Sequence, residues 1–420
     1  MSIIKIVSIL LVYTLVGCGI NKADKTKSLE VETNELHFSN KIDFELINEW
    51  VEDKSIVAIG ESSHGIGDFY SLKSEIVKYL HSELGFEVLL IEGGLGDLGL
   101  ASMDMKNLSA LELRNKTLYG NFRCKEIEPL FEYIKESSES ISPLFYGGYD
   151  SQTSGNYFKS RVDSICRHLK LNIDIKQEFD NYYKMYQASF EPDSTNFIKY
   201  RNSFQNIVKV IKSTIEKERD FLNKTMNISN LELKIILRNL DLQYRAVDYN
   251  YANRMNSENM HQAIIIRDKL MAENLQWIIE NLYPNKKIVV WGYNGHIQKG
   301  KSIGYQETKM MGQYLKNVFG GDYFSIGLFA YQGKAYQHWT GESIEFENSD
   351  STSIEYKMKR DNYKYTFQKF GKKDTKNWVN GETTALEIES NGIVSFVPSE
   401  RFDAAICIDS VGIPTFKNKK

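Results

Sequence analysis

The chain has 420 residues, of which 42% are hydrophobic and 25% charged, with a formal net charge of -3. That length admits two or three domains, or one large α/β domain carrying an insertion. The charge balance leaves no basic footprint for nucleic acid, and with 6 prolines and no long biased tract little of the mature chain is expected to be disordered.

The first predicted element is a targeting segment. Lys5 precedes the apolar run Ile6 to Val16, which ends at Gly17-Cys18. The run is too short to cross a bilayer as a helix. A basic start, an apolar centre and a small residue before the cut make a secretory signal. Leu15-Val16-Gly17-Cys18 resembles a bacterial lipobox, which implies cleavage before Cys18, acylation of that cysteine and an extracytoplasmic, membrane-anchored lipoprotein at the periplasmic face or cell surface. Residues 18–40 are polar and suit a flexible tether, leaving 41–420 as the folded part. Its cysteines, Cys124, Cys166 and Cys407, show no C-x-x-C spacing, so neither a zinc knuckle nor a redox pair is indicated.

Six short apolar runs follow as predicted strands: Ile56–Ile59, Val88–Ile91, Leu144–Tyr146, Ile288–Trp291, Phe324–Leu328 and Ala404–Ile408. Their continuous apolarity predicts strands covered on both faces, as in a parallel sheet. Phe69, Leu72, Ile76, Leu80 and Leu84 recur at helical spacing after the first run, and Gly85 stops that helix. Residues 156–283 hold charged and aromatic helical stretches with no convincing strand, and read as a helical insertion that could cap the site. Residues 331–400 predict hairpins or an irregular β excursion. The expected fold is therefore α/β, with a central mostly parallel sheet flanked by helices and a large helical insertion.

Chemistry-bearing residues follow the strands. The first run leads to Glu61 and His64, the second to Glu92, the third to Asp150, and the fourth to Asn294 and His296. Ligands of open α/β sheets bind beyond the carboxyl ends of the strands, so these groups are expected to share one rim. Gly65 and Gly295 are expected to permit tight turns beside the two histidines. Each carboxylate has a plainer role available, capping a helix or bonding loop amides. Lys73 and Arg267 lie on apolar helical stripes, where a buried cation needs an anion; Glu61, Glu92 and Asp150 are the candidates. His37, His81, His168, His261 and His338 have no comparable setting and read as surface or packing residues.

Taken together, Glu61-Ser62-Ser63-His64-Gly65, Leu90-Ile91-Glu92, Arg267-Asp268-x-x-Met271-Ala272-x-Asn274, Val290 to His296 and Phe402-Asp403-Ala404 resemble, in order, the motifs of the erythromycin esterase family. The resemblance spans about residues 55 to 410. It departs at Lys73, where the family usually has Arg, and at Tyr293, where it often has His; both put the substrate in doubt more than the fold.

The resemblance implies hydrolysis of an ester or lactone by activated water, without an acyl-enzyme, on a macrolide-type antibiotic or related small molecule. No G-x-S-x-G elbow supports a serine nucleophile. His64 is then expected to be the general base, Glu61 and Glu92 to orient it, and His296 with Lys73 or Arg267 to stabilise the oxyanion or protonate the leaving group. Asn294 and Asp150 are expected to bind substrate or shape the field. No cofactor is required, although two histidines and two glutamates also match the ligand types of a divalent metal. The alternative function is a haem- or metal-binding surface lipoprotein without turnover.

Overall fold

The computed structural model describes residues 36–186, 194–255, 257–300, 308–338, 340–371, 378–388 and 392–416. The expected signal segment, Cys18 and the tether up to residue 35 lie outside these residues. The strands are β1 (His37–Ser39), β2 (Ile56–Ile59), β3 (Phe86–Gly94), β4 (Phe145–Asp150), β5 (Lys287–Trp291), β6 (Tyr323–Gln337), β7 (Glu342–Glu347), β8 (Tyr365–Lys369), β9 (Thr383–Glu387), β10 (Gly392–Phe396) and β11 (Ala404–Val411).

Among the described residues, nine strands form one sheet in the order β1-β8-β11-β6-β2-β5-β3-β4, with β7 paired to β6. The six strands from β11 to β4 run parallel. Antiparallel β8 and β1 extend one side, and β7 pairs antiparallel with the far half of β6. The fold is thus α/β with a mostly parallel sheet, and each of the six apolar runs falls on one of the parallel strands, with only Leu144 lying just before the start of β4. β9 and β10 make a separate hairpin.

Two cores explain why those runs are continuous rather than alternating. Val57, Ile59, Leu89, Ile91, Val289 and Trp291 pack into one face of the sheet. Their sequence neighbours Ile56, Ala58, Val88, Leu90, Ile288 and Val290 pack into the other. Both faces are covered, so both parities of each strand must be apolar. The helix Gly67–Leu84 lays Phe69, Leu72, Ile76 and Leu80 into the first core. It ends at Gly85 with φ 68°, the left-handed cap that lacks a Cβ penalty only in glycine.

Between β4 and β5 the described chain is helical, with Tyr157–His168, Ile175–Tyr186, Ser194–Lys217, Arg219–Met226, Asn230–Met255 and Ser257–Asn281. Phe158, Val162, Phe179, Phe204, Leu233 and Ile236 give these helices a core of their own. The last helix leaves that core: Met271, Leu275 and Ile278 pack with the sheet residues of the second core. It therefore carries Arg267 and Asp268 toward the strand ends. Among the described residues no helix is long and apolar enough to cross a membrane.

Candidate active site

The site is assembled at the carboxyl ends of β2, β5, β3 and β4, which are neighbours in that order. β2 hands over to Gly60, whose N–H bonds the Ile326 carbonyl at 2.9 Å. A Cβ at Gly60 would lie 2.1 Å from Asn294 Oδ1, so only glycine lets the ends of β2 and β5 meet here. The Asn294 N–H then bonds the Glu61 carbonyl at 2.9 Å. Gly65 lies in a turn with His64, as expected, but not through a left-handed backbone. Its φ is not positive; instead a Cβ there would meet the Tyr336 carbonyl oxygen at 1.9 Å. Its role is close approach to β6, where the Tyr336 N–H bonds the Gly65 carbonyl at 2.9 Å. Gly295 likewise has no positive φ, and lies in the short helix Asn294–Ile297.

The first half of the site is a relay. His64 Nδ1 lies 3.0 Å from Glu61 Oε1. Glu61 Oε2 accepts from the Lys73 ammonium, which also donates to the Gly292 carbonyl at 3.1 Å and sits 4.3 Å from the centre of the Trp291 ring. Glu61 and Lys73 are fully buried. Burial pushes the Lys73 ammonium well below the usual lysine range, with the Glu92 charge acting against it. No part of Lys73 is exposed to touch a substrate, so its effect is exerted through Glu61. The His64 backbone is fixed too: its carbonyl accepts from the Tyr70 hydroxyl and lies 3.2 Å from His338 Nε2. His338, read from sequence as a surface or packing residue, thus abuts the His64 backbone. Neither adjacent serine is presented as a nucleophile. Ser63 Oγ accepts the Gly65 N–H at 3.0 Å, and Ser62 Oγ is buried.

The second half is centred on Arg267. Its guanidinium donates to Glu92 Oε1 at 2.7 Å and to Asp150 Oδ2 at 2.6 Å, and Nη1 lies 3.0 Å from His296 Nε2. Asp150 Oδ2 also accepts from the Tyr119 hydroxyl at 3.0 Å. Asp268 faces His296 Nδ1 with both oxygens at 3.0 Å, while its Oδ1 accepts the Met311 N–H at 2.9 Å. Burial disfavours the His296 cation, but Asp268 and Glu92 outweigh it and raise the imidazole above its ordinary value; Arg267 acts the other way. Burial likewise disfavours the Glu92 carboxylate, and the charges of His296, Arg267 and His64 overcome it and hold Glu92 well below the usual range. For Arg267 the two carboxylates, Asp150 and Glu92, outweigh burial and raise the guanidinium further.

Tyr293 joins the halves. Its ring lies 5.3 Å from the His64 ring and 6.1 Å from the His296 ring. Its N–H donates to Glu92 Oε2 at 3.0 Å, and its hydroxyl donates to Glu387, from β9. Phe122 packs edge-on against His64 with centroids 5.6 Å apart.

The structure thus brings His64, Glu61, Glu92, His296, Lys73, Arg267 and Asp150 into one connected cluster. Asn294 stands apart: its side-chain amide is taken up by the Leu328 backbone, at 2.9 Å to the carbonyl and 3.2 Å from the N–H. Glu387, Tyr119 and Phe122 are residues the sequence did not single out, and Asp268 falls within a sequence motif that assigns it no role in the site. Among the described residues no three His, Cys, Asp or Glu side chains are arranged to hold a metal. The carboxylates that would serve as ligands are instead paired with Lys73 and Arg267.

A family model described as erythromycin esterase matches residues 81–411. The chain is 27% identical over 372 residues to the "Putative hydrolase YbfO" of Bacillus subtilis (strain 168), covering 83% of this chain and 82% of that protein. It is 24% identical over 312 residues to the erythromycin esterase type II of Escherichia coli, covering 70% and 73%. Among solved structures, the Q81BN2_BACCR protein of Bacillus cereus superposes with a TM-score of 0.71 at 21% identity, over 90% of this chain and 95% of that one. A mutant of the erythromycin esterase EreC in its open conformation superposes with a TM-score of 0.59 at 15% identity, over 90% and 98%. These likenesses establish the shared fold.

Proposed function

The chain belongs to the erythromycin esterase family, and from that premise we propose that it hydrolyses a small-molecule ester or lactone by water activated at His64. The observation that carries this reading is the pairing of two histidines, each with a buried carboxylate, around one tyrosine. His64 Nδ1 is engaged by Glu61, so Nε2 is the nitrogen that takes a proton from water as the oxygen attacks the carbonyl carbon. The resulting oxyanion develops in the field of Arg267, a fixed cation that needs no reorganisation. His296, kept basic by Asp268, gives its proton to the leaving alkoxide as the C–O bond breaks, releasing acid and alcohol.

The substrate class includes the macrolide lactones that the family name denotes, with a role in the response to antibiotics. Tyr293, between the two histidine rings at a position where the family often has His, warns against assuming erythromycin itself. The test is a hydrolysis panel of macrolides, lactones and aryl esters with wild type and His64→Ala. Turnover of at least one substrate, reduced about 100-fold or more in the variant, is expected. A folded His64→Ala protein with full activity, or a wild type inert toward the whole panel, overturns the reading.

The proposed setting is extracytoplasmic, with a lipid anchor at Cys18, supported by the basic and apolar pattern before Gly17-Cys18. Cys18→Ala is expected to shift the protein from the membrane to the soluble fraction. Unchanged fractionation would sink the anchor.

A further inference from the structure

A cleft of about 810 Å³ opens between the helix Leu95–Met103, the 115–123 segment and the helix Tyr157–His168. None of the His64–His296 cluster lines it. Its volume falls within the roughly 300–1,000 Å³ of small-molecule sites.

Most charges in the cleft are already matched. Lys116 pairs with Glu112 at 3.0 Å and Arg161 with Glu232 at 2.5 Å. Asp104 accepts from the Tyr157 hydroxyl, and from Asn107 at 2.6 Å. Arg123 differs. Its Nε donates to the Leu118 carbonyl at 2.9 Å, and Nη2 donates to the carbonyls of Leu118 at 2.6 Å and Ser154 at 3.3 Å. Among the described residues no carboxylate lies within ion-pair distance of it, and Nη1 takes part in none of these bonds. Burial pushes the Arg123 guanidinium down, the neighbouring Arg114 charge acts in the same direction, and the more distant Asp97 carboxylate offsets them only in part. Two carbonyls hold the fork while no carboxylate pairs with it directly, which is the setting in which an arginine recognises an anion.

The remaining wall is neutral and hydrogen-bonding. Asn156, Ser160, Ser164 and Asn227 line it, and among the described residues their side chains have no hydrogen-bond partner in the protein. The helix start at Tyr157 is not the attraction, because Asp97 already accepts the Gly155 and Phe158 N–H groups at 2.9 and 3.0 Å.

We propose that this cleft binds a small polyhydroxylated anion, a sugar phosphate or sugar acid, with Arg123 on the anionic group and Asn156, Ser160, Ser164 and Asn227 on hydroxyls. The inference stands independently of the ester chemistry. Isothermal titration calorimetry of the full chain with glucose 6-phosphate, glucuronate, glucose and inorganic phosphate tests it. At least one of the two sugar anions binds saturably at a single site, and glucose and phosphate each bind at least tenfold more weakly. Arg123→Met weakens that binding at least tenfold. Ser160→Asp, an exposed change that adds a carboxylate and leaves the Arg123 carbonyl contacts intact, does the same in a protein that keeps its fold. His64→Ala leaves binding unchanged. The proposal is overturned if neither sugar anion binds saturably or phosphate alone binds as tightly. It is equally overturned if binding survives Ser160→Asp or is lost in His64→Ala.

Discussion

Lys73 acts on His64 through Glu61, whereas Asp268 acts on His296 directly, and each makes a sharp prediction. Lys73→Met keeps the volume of the stem but leaves Glu61 buried opposite an apolar group. Stranding one partner of a buried pair costs about 3–5 kcal/mol, so urea unfolding at neutral pH should show a loss of that order. A loss below about 1 kcal/mol would show that the pair is dispensable for stability. Asp268→Asn removes the charge that raises His296. If His296 is the general acid, the alkaline limb of the pH–rate profile moves to lower pH, and an unmoved limb assigns the acid elsewhere. Much of this was legible because a cation on an apolar stripe demands an anion, which tied Lys73 and Arg267 to Glu61, Glu92 and Asp150. Asp268 was not legible as a partner of His296, since nothing in its place beside Arg267 says which side chain it meets. Glu387 was hidden for a related reason: it reaches Tyr293 across 94 residues from a hairpin outside the main sheet.

Two glycines separate the demands of the strand ends from those of the helices between them. At Gly85 the backbone is left-handed with φ 68° and nothing lies within 4 Å of a prospective Cβ. Gly85→Ala should therefore cost only the conformational strain, about 1–2 kcal/mol, with hydrolysis unchanged. At Gly65 the backbone is ordinary but the Tyr336 carbonyl stands 1.9 Å from a prospective Cβ. Gly65→Ala must push β6 away from the His64 turn, so most of the activity should vanish along with about 1–3 kcal/mol of stability. Measuring both variants by thermal unfolding and by turnover of one substrate from the panel compares them directly; equal activity in the two would refute the distinction. The parallel strands were readable because burial on both faces leaves long apolar runs. The antiparallel additions were not. β7 alternates exposed and intermediate residues without a buried one, and β1 has three residues, none of them buried. β6 runs on to Gln337 past the expected end at Leu328, because its far half finds a partner in β7.

At the scale of the whole molecule, Arg267 ties the last helix of the Tyr157–Asn281 segment to two strand ends of the sheet. That makes the site a structural joint whose strength depends on pH. Glu92 is held below its ordinary value near 4.5, so its contribution to stability is present above that value and is lost as pH falls toward its folded one. His296 is raised, so its contribution is complete below its unfolded value and is lost as pH climbs through its folded one. Arg267→Met removes the shared cation and leaves Glu92 with the two histidines, the Tyr293 N–H and the Lys73 charge to offset its burial. At neutral pH the variant should be less stable by about 3–5 kcal/mol. Acid then affects the two proteins unequally. From about pH 5 to about pH 3 the wild type gives up the stabilisation that Glu92 supplies, whereas the variant's Glu92, less strongly held as an anion, takes up its proton earlier and relieves its own burial. The stability gap should narrow steadily over that interval in urea titrations at each pH. A gap that stays constant would mean that Arg267 holds the helix to the sheet by packing of its stem, and that the charges at this joint serve the chemistry alone.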